Sequence, residues 1–356
     1  MLRKFNSTYM KNIYVTNSPL QFIFALSIQK LLSNDKNYLI LWFGNVSLKE
    51  SFPESIDLSL FNTLDLSNIK LNYLKEFIKN RKILEKILKD NVDEIDLLFT
   101  MYETHFAFEI IKNLYKIPWS RIGIIDDGMG NYIPHSMPKL YRQIAKYIIT
   151  KILTGISLTL SRFNSGGNKK ISFISTVNPE NIYLHKQSRA KVLDIRKTFA
   201  EVLTSINAHD NELRSAEVII FLPPFLHYKR LNQDQVNTYI DKIINHPKIS
   251  KYKKILFKPH PKENIQILQN IISKRDEKNL KLFTGKYPIE IYLHLIHANV
   301  IAGNVSTAIL NHYFYHKNNN SLYLITYGQG GGLYVKDQIE VFKKIIGNKM
   351  EILKTN

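Results

Sequence analysis

The residues best suited to chemistry stand where apolar runs give way to turns. Phe257-Lys258-Pro259-His260-Pro261 follows Lys254-Ile255-Leu256, so His260 sits just past the end of a short buried strand. Pro259 and Pro261 restrict the backbone on both sides and aim the imidazole. Histidine titrates near neutrality and can donate to a departing phosphate. The plainer alternative is a ring satisfied by a backbone carbonyl in a rigid turn. About forty residues later, Ile301-Ala302-Gly303-Asn304-Val305 ends a second strand and Ser306-Thr307 opens a helix. Hydroxyls beside the free N–H groups of a helix N-terminus suit an anion, though they are also ordinary caps. Asp126-Asp127-Gly128 ends a third strand. Neighbouring side chains on extended backbone point opposite ways. At most one of the two aspartates therefore faces the cleft, where it can act as a general base, while the other holds the turn or caps the next element. The tripeptide equally suits an ordinary turn. Met129-Gly130-Asn131-Tyr132 keeps the segment open to close ligand approach.

The elements that must hold these residues alternate along the chain. Strands are expected at 12–15, 38–43, 95–99, 122–125 and 171–175, with helices at 20–32, 71–88, 105–115, 138–160 and 189–206. The polar stretch 207–216 has the composition of a linker. The pattern then restarts, with strands at 218–222, 255–257, 280–283, near Val300 and at 322–326, separated by helices at 233–244, 264–272 and after Ser306, and a closing helix at 338–346. Strand–helix alternation predicts doubly wound parallel sheets. The expected organisation is an N-terminal domain 1–206, a linker 207–216 and a C-terminal domain 217–356 whose last helix can cross back. Two such domains with facing strand ends form the GT-B pattern, with a cleft between them, and strand ends are where open α/β sheets bind ligands.

Composition narrows the chemistry. The chain has 356 residues, 44% of them hydrophobic, and no cysteine, which excludes disulfides, thiolate metal sites and a cysteine nucleophile. The net charge of +19 suits anionic company or an ordinary Lys-rich surface. No zinc-type spacing is present, and adjacent Asp126-Asp127 is not the spaced carboxylate pair of a metal-bridged nucleotide sugar. Gly328-Gln329-Gly330-Gly331-Gly332 lacks the Lys-Ser/Thr ending of a Walker loop and reads as a flexible loop. No secretory leader is visible. The longest apolar stretch, 147–160, is interrupted by Lys151 and too short to span a bilayer. With Lys139, Arg142 and Lys146 before it, it could lie along a membrane surface, but a buried amphipathic helix is the expectation.

Taken together and in order, the motifs resemble bacterial sialyltransferases. The closest resemblance is to glycosyltransferase family 52, the lipooligosaccharide and capsule sialyltransferases, with the family 38 polysialyltransferases related. Asn17-Ser18-Pro19-Leu20-Gln21, Asp126-Asp127-Gly128, His260-Pro261, Pro288-Ile289-Glu290 and Ser306-Thr307 carry it, across most of the chain. The resemblance implies a GT-B fold, CMP-sialic acid as donor, a glycan acceptor on lipooligosaccharide or capsule, inversion at the anomeric carbon, and no metal or other cofactor. It implies that Asp127 deprotonates the acceptor, with Asp126 beside it and the choice between them open. His260 would assist the departing CMP phosphate, Ser306 and Thr307 would bind it, and Glu290 would hold the cytidine ribose. Gly128, Lys258 and Pro261 belong to the same donor-binding set. A cytoplasmic location follows, with peripheral contact to an anionic inner membrane and no nucleic-acid partner. Leu222-Pro223-Pro224-Phe225, after the first strand of the second domain, carries no acid. Two other readings remain: a transferase of another CMP-linked ulosonic acid, such as legionaminic acid or Kdo, and a non-catalytic basic protein that binds polyanions.

Overall fold

A computed structural model describes residues 11–354 except 33–36, 72–73, 103–104, 127–131, 133–139, 160–167, 183–189, 207, 261, 276–278, 286, 305, 317–320 and 327–332. The chain forms two compact units, 1–206 and 207–356.

The first unit runs β1 (Lys11–Thr16), α1 (Pro19–Leu32), β2 (Tyr38–Trp42), β3 (Thr63–Asp65), α2 (Leu74–Asn91), β4 (Ile95–Thr100), α3 (Phe106–Leu114), β5 (Ile122–Ile124), α4 (Leu140–Thr154), β6 (Phe173–Thr176), β7 (Lys191–Asp194) and α5 (Arg196–Ser205). Its seven strands are all parallel, in the order β3-β2-β1-β4-β5-β6-β7. Every residue of β1 is buried, as expected for a central strand covered on both faces. Pro19 opens α1 at a position that needs no N–H donor. Ser18 Oγ accepts the Gln21 N–H at 3.4 Å, and Gln21 Oε1 accepts that of Asn17 at 3.0 Å. The Asn-Ser-Pro-Leu-Gln motif thus shapes the first strand-to-helix turn.

The second unit runs α6 (Asn211–Ser215), β8 (Val218–Leu222), α7 (Gln233–Ile244), α8 (Pro247–Ser250), β9 (Lys254–Pro259), α9 (Ile265–Ser273), β10 (Asn279–Leu282), a 3₁₀ segment (Ile289–Leu295), β11 (Val300–Gly303), α10 (Thr307–His316), β12 (Ser321–Thr326), α11 (Leu333–Ile346) and β13 (Met350–Lys354). Its six parallel strands are ordered β10-β9-β8-β11-β12-β13. The strand Val218-Ile219-Ile220-Phe221-Leu222 is buried throughout. Around it gather Tyr239, Ile240, Ile255, Phe257, Leu268 and Val300.

Four expectations change. Residues 207–216 are not a bare linker: Asp210 accepts the Leu213 N–H at 2.9 Å and caps α6, which leads into β8. The stretch 189–206 is not one helix, because β7 precedes α5. The closing helix is not the last element: α11 is followed by β13, which pairs with β12 in the second sheet. Finally, α4 is not buried. Tyr141, Ile144, Ile148, Ile149, Ile152 and Leu153 are all exposed, Ile152 by 77%. Each such aliphatic side chain forgoes part of the roughly 1.5–3 kcal/mol that full burial would supply.

Candidate functional site

In parallel sheets all strand C-termini share one edge, and both units concentrate their chemistry there. In the second unit, β9 and β11 flank β8. His260 follows β9, Pro223–Arg230 follows β8, and Asn304 and Ser306 follow β11. Strands two places apart are separated by about 10 Å, so His260 and Ser306 rise from neighbouring positions on one edge.

His260 is fixed at three points. Its N–H donates to Leu222 O at 3.0 Å, its carbonyl accepts from Glu263 N at 2.9 Å, and its Nδ1 accepts the Lys262 N–H at 3.1 Å. An Nδ1 that accepts cannot carry the proton of a neutral ring, so the proton sits on Nε2 as a donor. Burial lowers the His260 pKa below its usual value, the charges of Lys262 and Lys258 lower it further, and Glu263 opposes them. The imidazole is therefore mostly neutral at pH 7 until an anion arrives.

Around His260 lies a framework that the sequence reading missed. The buried Glu263 carboxylate accepts three backbone N–H groups: Leu226 at 3.0 Å, His227 at 3.1 Å and Asn264 at 3.0 Å. It ties the loop after β8 to the turn that carries His260. On that loop Tyr228 receives Lys262 Nζ at its hydroxyl, 3.4 Å away, and stacks near Arg230. The available signal was an acid three residues after the histidine, in register to reach back.

Lys258, at the end of β9, is buried; its Nζ donates to Pro259 O at 2.9 Å and lies 5.7 Å from the centroid of the Phe283 ring. Burial lowers its pKa, and the Glu290 charge opposes the shift. Burial likewise raises the Glu290 pKa, opposed by Lys258. The structure thus brings these two predicted residues within electrostatic reach. Glu290 belongs to the 3₁₀ segment.

Ser306 caps α10: its Oγ accepts the Ala308 N–H at 3.2 Å, which leaves the hydroxyl proton to donate outward. Thr307 is the first residue of the helix. Gly303 is needed at the strand end, because a Cβ there would meet Phe221 O at 2.7 Å.

In the first unit, Asp126 follows β5 and is fully buried. Its Oδ2 accepts from Tyr132 Oη at 3.0 Å and Val177 N at 3.4 Å, and its own N–H reaches Ser175 Oγ at 3.3 Å. Tyr132 also meets Thr176 Oγ1 at 2.8 Å, and burial with the Asp126 charge pushes its phenol pKa well up. Asp126 thus fastens the end of β5 to that of β6. Asp127, Gly128, Pro261 and Gly328 to Gly332 lie outside the described residues.

The same edge carries a polar pocket of about 130 Å³ lined by Asn17, Phe43, Asn45, Lys70 and His105. His105 caps α3, with Nδ1 accepting the Ala107 N–H at 3.3 Å, so its neutral ring also presents an Nε2 donor. Burial lowers its pKa to about 4, helped by the Lys146 charge. Only Asn17 of this pocket stands in a motif of the sequence. A hollow of about 160 Å³ at the opposite edge of the second sheet is bordered by the Lys281–Glu212 ion pair and carries none of the motif residues. Among the described residues, no three His, Asp or Glu side chains gather in a way that could hold a metal ion. Also among them, no helix is long and apolar enough to cross a membrane.

Two parallel Rossmann-like sheets with motif residues at their strand ends define a GT-B protein, and known structures agree on the fold. UDP-GlcNAc 2-epimerase from Methanocaldococcus jannaschii is 14% identical, with a TM-score of 0.55 over 98% of this chain and 89% of its own. A putative UDP-N-acetylglucosamine 2-epimerase from Listeria monocytogenes is 9% identical, with a TM-score of 0.55 over 98% and 85%. MurG from Acinetobacter baumannii is 9% identical, with a TM-score of 0.44 over 97% and 86%. No curated protein matches the chain in sequence. The alpha-2,8-polysialyltransferase (POLYST) family matches residues 11–324, and the chain belongs to that family. It is a glycosyltransferase of the sialyltransferase type, which decides between the enzyme readings and the non-catalytic polyanion binder. Of the two families the motifs resemble, the polysialyltransferases are the one matched.

Proposed function

We propose that the protein is an inverting, metal-independent sialyltransferase that moves sialic acid from CMP-sialic acid to a hydroxyl of a bacterial surface glycan, of the lipooligosaccharide or capsule class. The observation that carries this reading is the pairing on one sheet edge of a neutral, Nε2-protonated His260 with the Ser306-capped N-terminus of α10. Both offer hydrogen-bond donors to an anion, and neither needs to change conformation to do so.

In this reading the donor phosphate lies against Ser306, Thr307 and the α10 N-terminus, and Lys258 and Glu290 flank the nucleoside. Pro261 stiffens the turn. Asp127 takes the proton of the acceptor hydroxyl as that oxygen attacks the anomeric carbon. The bond from this carbon to the phosphate oxygen breaks, and the electron pair leaves with CMP. The Nε2–H of His260 meets the growing negative charge. Asp126, tied to Tyr132, positions the segment that carries Asp127 and Gly128.

The test is CMP release from CMP-sialic acid in EDTA, with lactose-type, sialylated and capsule-type acceptors. Turnover that survives chelation, falls at least about a hundredfold in Asp127→Asn and His260→Ala, and needs an acceptor is expected. Loss of turnover on chelation, restored by a divalent cation, would overturn the metal-free mechanism. Turnover with CMP-legionaminic acid or CMP-Kdo in place of CMP-sialic acid would move the donor to another ulosonic acid.

A further inference from the structure

We infer that α2 and α4 form a membrane-docking face that takes the surface of a bilayer rich in anionic phospholipid. Twelve large apolar side chains are exposed among the described residues, and eight of them sit on these two helices: Ile78 and Ile83 on α2, and six on α4. The helices touch, and Arg81 Nη1 of α2 donates to Thr154 O at the end of α4. Apolar groups concentrated in this way mark a surface built to be covered.

Charge identifies what covers it. The exposed Lys75, Lys79, Lys82, Lys86 and Lys89 recur every three or four residues, and so form one stripe along α2. From 128 to 179, a stretch that contains α4, the sequence has seven Lys or Arg and no Asp or Glu. Lys151 is exposed beside the α4 isoleucines. Isoleucine interleaved with lysine is the composition of an interfacial helix, whose apolar side chains sink below the headgroups while lysines snorkel to the phosphates. A second copy of the chain fits poorly. Two-fold pairing would set lysine stripes against each other, and protein interfaces are depleted in lysine. The helices are too short and too charged to cross the membrane, so the face lies on it. The inference rests on exposure and charge and is independent of the donor sugar.

Flotation of the full chain with lipid vesicles tests it. Vesicles of phosphatidylcholine containing phosphatidylglycerol should carry the protein at low salt, and vesicles of phosphatidylcholine alone should not. Ile148→Glu with Ile152→Glu should cut vesicle binding at least about tenfold. Lys79→Glu with Lys82→Glu should weaken it by about fivefold or more for each lysine reversed. Both pairs replace exposed side chains, so melting temperature and turnover on a soluble acceptor should stay unchanged. Failure of the native chain to float with anionic vesicles would overturn the proposal, as would undiminished floating of either pair. A native dimer that ignores vesicles and becomes monomeric in Ile148→Glu/Ile152→Glu would overturn it in favour of a second copy.

Discussion

Two histidines, His105 and His260, share one local device: a ring just past a strand, with Nδ1 held by the N–H two residues on. That bond fixes the tautomer before any ligand binds, so the Nε2 donor costs no reorganisation. For His260 it yields a prediction with a sign. Its pKa in the free protein is depressed, and a bound phosphate supplies the opposite charge, which raises it. CMP binding near pH 6 should therefore take up protons, measured by calorimetry in buffers of different ionisation enthalpy. His260→Asn, which donates but does not titrate, should bind CMP without the share due to the ring. Proton uptake equal to that of the native chain would remove His260 from the phosphate site. Glu263 gives a second test. Three backbone N–H groups depend on its buried carboxylate, and each left unsatisfied costs about 1–3 kcal/mol when water cannot reach it. Glu263→Ala should lower unfolding free energy by at least about 2 kcal/mol in urea titrations and weaken CMP binding. Glu263→Gln, which keeps an acceptor oxygen, should lose less in both. His260 and Glu263 also show what a sequence exposes. The histidine stands out because two prolines bracket it. The glutamate's importance lies in bonds to a loop some 36 residues earlier, which no local pattern displays.

At the level of elements, the helix bearing Ser306 and Thr307 rests on an acid-sensitive contact. His312, on α10, is 1% exposed, and neither ring nitrogen has a hydrogen-bond partner among the described residues. Its ring lies 4.4 Å from that of His316, whose Nε2 meets Leu293 O of the 3₁₀ segment at 2.7 Å. Burial, aided by the charges of His316 and His297, lowers the His312 pKa to about 3. A histidine whose folded pKa lies below its unfolded value of about 6.5 stabilises the fold fully above pH 6.5, and this stabilisation is lost as pH falls towards the folded value. His312 and His105 together should therefore steepen acid unfolding below pH 6.5, each by up to about 1.4 kcal/mol per pH unit. His312→Leu should be neutral to stabilising at pH 7 and should flatten that limb in melting curves taken between pH 7 and 4. A limb as steep as in the native chain would show that His312 is solvated when folded. The apolar elements were legible because burial writes itself into composition: β8 is Val-Ile-Ile-Phe-Leu throughout, and β9 is built on Ile-Leu-Phe. Three strands were not. Thr63-Leu64-Asp65, Lys191-Val192-Leu193-Asp194 and Met350-Glu351-Ile352-Leu353-Lys354 are edge strands, and the polar residues an edge tolerates hide their character. The exposure of α4 was hidden for a related reason. An amphipathic pattern shows that a helix has an apolar face but not what that face meets.

For the whole molecule, the division into two units follows from how the strands are shared. All seven strands of the first sheet come from residues before 207, and all six of the second from residues after it, so no strand is exchanged. Each sheet also has its own apolar cluster: Phe77, Leu84, Phe106 and Ile110 on the first, Tyr239, Ile240, Phe257 and Leu268 on the second. A unit of 150 residues is of ordinary domain size and buries roughly 70% of the surface its unfolded chain exposes. The proposed donor-side residues Lys258, His260, Glu290, Ser306 and Thr307 all lie in the second unit, and the proposed base Asp127 lies in the first. A chain of residues 207–356 should therefore fold cooperatively and bind CMP with an affinity within about tenfold of the full chain, while transferring no sugar. Circular dichroism on urea titration reads the first property, calorimetry the second and CMP release the third. If the fragment folds but does not bind CMP, the nucleotide site needs groups from the first unit, and the assignment of the whole donor site to the second sheet edge fails. If it folds, binds and still transfers sugar, Asp127 is not the base, and the acid that takes the acceptor proton must be sought among the residues of 207–356.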